Sequence, residues 1–134
     1  MITIIAGSRK LSELWIVELA ISHSKFNITT VVSGAASGVD LLGEKWAVRN
    51  NIPVVRFPAN WKEYGTQAGP IRNDEMAKYV ISQCDKPEDG GLIAIPFGQS
   101  RGTMNMISQA RHYGLQIYTH RMRAGKPVQA GFSF

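Results

Sequence analysis

Short apolar runs alternate along the chain with longer stretches in which apolar positions recur every three or four residues. Ile2 to Ala6, Thr29 to Val32, Ile52 to Phe57, Leu92 to Pro96 and Leu115 to Thr119 read as short buried strands. Between the first two strands, Leu14, Val17 and Ile21 fall at helical spacing within Leu11 to Ser24, with Trp15 and Leu19 filling out the apolar face. Ser8 or Ser12 is placed to cap that helix. A second helix is expected over Val39 to Asn50, with Val39, Leu42 and Trp46 facing inward. Pro58 to Pro70 reads as a long functional loop with a helical turn around Trp61, followed by a third helix from Pro70 or Ile71 to about Ser82. Asp85 to Gly91 is a polar turn, and the last helix leads from the next glycine turn to Tyr113, where Gly114 stops it.

The resulting order β-α-β-α-β-α-β-α-β predicts an α/β fold, a three-layer sandwich. It has a mainly parallel sheet of about five strands with helices on both faces. Residues 1–120 are expected to form one domain, and residues 121–134 a C-terminal arm or tail without periodicity.

Composition fits a single globular domain: 134 residues, 44% apolar and 19% charged. The one cysteine, Cys84, excludes an intramolecular disulfide and a cysteine-only metal site. The N-terminus has no basic stretch before Gly7, and no apolar run is long enough to span a bilayer, so a cytoplasmic protein without membrane partners is expected. The net charge of +5 suits an anionic partner, yet the charge is spread; His120, Arg121, Arg123 and Lys126 come nearest to a cluster. His23, His112 and His120 are far apart in sequence and have no metal-ligand spacing. Surface or capping roles are expected for them, and no metal.

Three small-residue turns follow strands, at the ends where open α/β sheets bind ligands. In the first, Gly7 allows close backbone approach, Ser8 offers a hydroxyl and Arg9 a planar fork for phosphate or carboxylate. The second, Ser33-Gly34-Ala35-Ala36-Ser37-Gly38-Val39-Asp40, is a narrow wall in which Asp40 either caps a helix or accepts from a ribose hydroxyl. The third, Gly98-Gln99-Ser100-Arg101-Gly102-Thr103, runs from a strand into a helix and makes a phosphate cradle with a cation in it. Arg72 and Asn73, opening a helix after Gly69-Pro70, can clamp a phosphate and read a base or ribose edge. Neither the G-x-G-x-x-G spacing nor a G-K-[ST] ending is present, which disfavours dehydrogenase and P-loop readings. Trp61 and Tyr64 either stack on a base or anchor the long loop, whereas Trp15 and Trp46 read as core.

These segments carry a resemblance. Gly7-Ser8-Arg9, the run Val32 to Ala47, Phe57 to Trp61, Gly69 to Met76 and Gly98 to Thr103 resemble the superfamily that unites the DNA-processing protein A Rossmann domain with the "lonely guy" phosphoribohydrolases (SLOG). The chain looks most like the small stand-alone YspA/YpsA-related proteins of bacteria and phages, over about residues 1–119. The resemblance implies that residues 1–120 are a Rossmann-like nucleotide-binding domain, in a homodimer or homotetramer that binds nucleotides or nucleotide-derived ligands. No cofactor is expected. In the phosphoribohydrolases an Arg and a Glu support cleavage between base and ribose phosphate. Arg72 matches the Arg, but Met106 stands where the Glu would follow the Gly-Thr pair. Met offers neither charge nor proton, and Glu44 and Glu75 remain as substitutes. The expected function is therefore binding of a phosphorylated, ADP-ribose-like signalling nucleotide, to sense or sequester it. The alternatives are nucleotide N-glycosidase activity and, more weakly, binding of single-stranded nucleic acid, for which aromatic residues are few.

Overall fold

A computed structural model describes residues 1–122 of the chain. Five strands, β1 (Ile2–Gly7), β2 (Thr30–Ser33), β3 (Val54–Arg56), β4 (Gly90–Ile95) and β5 (Gln116–Thr119), form one sheet in the order β3-β2-β1-β4-β5. Every pairing is parallel. The helices are α1 (Leu14–Ser24), α2 (Val39–Arg49), the single turn α3 (Trp61–Tyr64), α4 (Ala68–Ser82) and α5 (Arg101–Tyr113). This is the parallel α/β fold that the strand and helix order predicts, Rossmann-like as the resemblance implies.

Strand alternation divides the core into two layers. Ile5, Val31, Ile93 and Ile95 meet Ile16, Val17, Ala20 and Ile21 of α1 and Val39 and Ala47 of α2. Ile4, Val32, Leu92 and Ala94 meet Met76, Ala77 and Val80 of α4 and Met106, Ile107 and Ala110 of α5. Each fully buried Ile, Leu or Val side chain contributes roughly 1.5–3 kcal/mol.

The structure corrects several boundaries. α1 starts at Leu14, behind an extended Glu13, and no side chain caps it; Ser8 instead accepts a hydrogen bond from the Lys10 amide, and Ser12 is exposed. Trp15 is exposed rather than core, because the buried stripe of α1 is Ile16, Val17, Ala20 and Ile21. On α2 the innermost stripe is Val39, Gly43 and Ala47, and Leu42 and Trp46 flank it half-buried. α4 begins two residues before Pro70, which costs nothing because first-turn N–H groups have no intrahelical partner. β4 begins at Gly90, inside the expected polar turn. A Cβ there would lie 2.4 Å from Val80 Cγ1, so the bare glycine lets α4 pack directly on the strand. Beyond β5, the Met122 amide donates to Pro96 O (3.1 Å), and Met122 is buried in the α1–α2 layer. The expected arm, apart from Arg121 and Met122, lies outside the described residues. No helix among those residues is long and apolar enough to cross a membrane.

From β1 the chain winds to β2 and β3 on one side, then crosses back to β4 and β5 on the other. The crevice between the carboxyl ends of β1 and β4 is where such sheets hold ligands.

Candidate functional site

The turn after β1 is fixed from both sides. The Ser8 amide donates to Ile95 O at the end of β4 (3.0 Å), and the Val39 amide at the start of α2 donates to Ser8 O (3.1 Å). A Cβ at Gly7 would lie 2.4 Å from Ile95 O, and one at Gly38 2.2 Å from Ser8 O. Gly38 also has φ 78°, a conformation that L side chains rarely adopt. These glycines bring the first and second turns into backbone contact.

Arg72 and Asn73 tie the remaining walls together. Arg72 donates through Nη1 to Gly34 O and through Nε to Asn73 Oδ1 (3.0 Å). Asn73 Nδ2 donates to Gly102 O (3.2 Å) and Asn105 Oδ1 (2.9 Å) on α5. One dipeptide at the start of α4 thus brackets the second turn and α5. Both residues are buried, and Gly34 is bare because Arg72 Nη1 would stand 2.6 Å from its Cβ.

Asp40 lies beside this bracket, 5% exposed. Its Oδ2 accepts from the Ala36 amide (3.2 Å) and so closes the second turn, rather than capping the start of α2. Burial pushes its carboxyl up to about 6, against the lowering effects of the Ala36 amide, the Arg72 charge, the Gly7 amide and the Arg9 charge. Burial likewise holds the Arg72 guanidinium below its ordinary value, outweighing the attraction of Asp40. The cleft wall therefore holds a carboxyl that titrates near neutrality.

The N-terminus of α5 completes the site. Ser100 does not cap it through its side chain; the hydroxyl is paired with Thr103 Oγ1 instead. The first-turn amides are left for an incoming acceptor, and the helix dipole favours an anion there. The cleft holds about 280 Å³. Gly7, Ser8, Arg9, Asp40, Arg72 and Asn73 line it together with Ser100, Arg101, Gly102 and Thr103, and Ala6, Met76 and Met106 give it apolar surface. Cations, amides and hydroxyls around an apolar floor suit a phosphorylated organic molecule. Past Gln99, Ser100 and Arg101, a shallower groove continues along Gly98, Met104 and Arg121.

Not every expected residue reaches this cleft. Ser33, Gly34, Ala35 and Gly38 do not line it; they form the frame behind it, with Ala36 and Asp40 as the part of the second turn that lines the cleft. Ser33 Oγ donates to Glu44 Oε2 (2.6 Å) and accepts from the Ala35 amide (3.0 Å), and Ala35 has φ 61°. Glu44 is held by Ser33 and by Arg56 (3.1 Å), away from the cleft, and Glu75 is solvent-exposed. Gly98, at φ 64°, turns the chain into the outer groove. His120 is buried rather than on the surface, 6.1 Å from the His23 ring between centroids. No cluster of three metal-ligating side chains occurs among the described residues.

Lys10, Gln99, Ala36 and Met76 line the cleft without having been singled out in the sequence. Met76 was findable, because it follows Arg72 by one helical turn and shares its face. Lys10 extends the Gly-Ser-Arg turn, and Gln99 lies within the third turn.

Fold and cleft together define a Rossmann-like α/β protein with an anion-ready site at its switch point. The model of the YspA, cpYpsA-related SLOG family matches residues 1–64, which hold the first two turns and Asp40. The chain is also 30% identical over 92 residues to the Gene 61 protein of Mycobacterium phage D29, spanning 65% of this chain and 67% of that one. The chain belongs to the YspA, cpYpsA-related SLOG family. No solved structure matches it.

Proposed function

We propose that the protein binds a phosphorylated nucleotide or nucleotide-derived ligand of the ADP-ribose type and holds it intact, to sense or sequester it. SLOG membership points to nucleotide-related binding or glycosidase-like chemistry. What favours binding is the convergence of Arg9, Arg72, Arg101 and the uncapped α5 amides on one cleft whose floor carries buried Met106 in place of an acid. At about 280 Å³ the cleft is at the lower edge for organic ligands. A mononucleotide-sized part would fill it, and the rest of a longer ligand would follow the outer groove past Arg101.

A second reading, N-glycosidic cleavage, is favoured by Asp40. It is the carboxyl in the cleft wall, and burial raises it to about 6, where it can hold or give a proton near neutral pH. Incubation with a panel of nucleotides, followed by thermal melting and chromatography of the mixture, separates the two. Binding raises the melting temperature and returns the ligand unchanged. Free base in the mixture, lost in Asp40→Asn, would instead establish the enzyme.

A further inference from the structure

The segment from Trp61 to Gln67 contributes nothing to the core: every one of its residues is exposed. It nevertheless presents two large aromatics, Trp61 at 49% and Tyr64 at 43% exposure. Leaving such rings in water forfeits burial that a core position would give. Their turn is also built with care. The Glu63 amide donates to Asn60 Oδ1 (3.2 Å), and Asn60 Nδ2 donates back to Glu63 Oε1 (3.1 Å), a reciprocal cap that fixes the turn in place. Trp61 rests by its edge against α4, where its Cη2 would lie 3.5 Å from a Cβ on Gly69.

Arg9 connects this turn to the cleft. It lines the cleft, and its guanidinium lies over the Trp61 ring, 5.7 Å from the centroid. The salt bridges among the described residues are Arg56–Glu44 and Lys78–Asp74, so Arg9 is held in no ion pair there. A guanidinium can stack through its face while its edge donates to phosphate. The arrangement suits a ligand with an anionic group in the cleft and a flat ring at its mouth.

We propose that Trp61, aligned by Arg9, is a stacking lip for the aromatic base of the bound ligand, so that the site selects nucleotides over sugar phosphates. This rests on the phosphate-binding reading of the cleft. Tyr64, three residues on in the same turn, widens the lip.

The test compares AMP with ribose 5-phosphate, which shares the sugar phosphate and lacks the base. Equilibrium titrations are run on the wild type, Trp61→Ala and Trp61→Phe, with tryptophan emission recorded alongside. Wild type should bind AMP about tenfold more tightly than ribose 5-phosphate. Trp61→Ala should remove that preference and leave ribose 5-phosphate affinity unchanged. Trp61→Phe should keep most of the preference while losing the emission change that AMP causes in the wild type. It also carries the test if the alanine variant does not fold. Equal binding of the two ligands by the wild type, or a preference that survives in Trp61→Ala, overturns the lip and leaves the phosphate cleft standing. Binding of neither ligand overturns both.

Discussion

Asp40 is the acid of the cleft wall. Its carboxyl is buried beside Arg72, and burial raises it from 3.8 to about 6. Between about pH 4 and pH 6 the folded protein therefore keeps a proton that the unfolded chain has lost, and stability falls as pH rises through that window. Two pH units correspond to about 3 kcal/mol withheld at neutral pH. Asp40→Asn retains an acceptor for the Ala36 amide and should flatten this part of the profile. Urea unfolding of both proteins at several pH values from 4 to 7.5 reads the slope, and parallel profiles would show that Asp40 does not titrate there. At this scale the sequence was partly legible. Arg72 could be picked out by its place after Gly69-Pro70, but not its partner Gly34 O, which lies 38 residues away in the chain and meets it only through tertiary packing. Gly38 was legible as a glycine in a turn. That it is bare to admit Ser8 O, rather than a ligand, depends on two turns meeting in space.

Between elements, the decisive contact is the α4–α5 bracket at Asn73. Its amide reaches Gly102 O and Asn105 Oδ1 and holds the open N-terminus of α5 against the cleft. Asn73→Ala removes both bonds and the Arg72 Nε acceptor, which should cost about 1–3 kcal/mol in stability. Because α5 loses its tether, ligand affinity should fall as well. Chemical denaturation and a nucleotide titration on the same variant check the pair, and unchanged affinity with lowered stability would separate the bracket from the site. Element types were readable from periodicity and order, and boundaries less so. Gly90 and Gly91 looked like turn because glycine is a poor strand former, yet both pair with β1. Close approach of Val80 and Phe26 demands their bareness. Ile52 and Pro53 looked like strand, yet β3 is a three-residue edge element starting at Val54.

For the whole molecule, alternating short apolar runs and helical stretches were sufficient to foresee a parallel sheet, and with it a site at the carboxyl ends of the strands. The order β3-β2-β1-β4-β5 was not in that pattern, yet it decides which turns share a crevice. β1 and β4 are neighbours, so their turns face each other across the cleft, while most of the second turn is displaced behind it. The central claim is that this crevice holds a phosphorylated nucleotide without breaking it. Calorimetric titration of ADP-ribose into the wild type and Arg101→Ala, with chromatography of the recovered ligand, tests it most directly. The account predicts saturable binding, intact ADP-ribose on recovery, and a loss of about 1.5–3 kcal/mol in the variant, the worth of a charge-assisted hydrogen bond. Absence of saturable binding by the wild type, or a cleaved ligand, would contradict it.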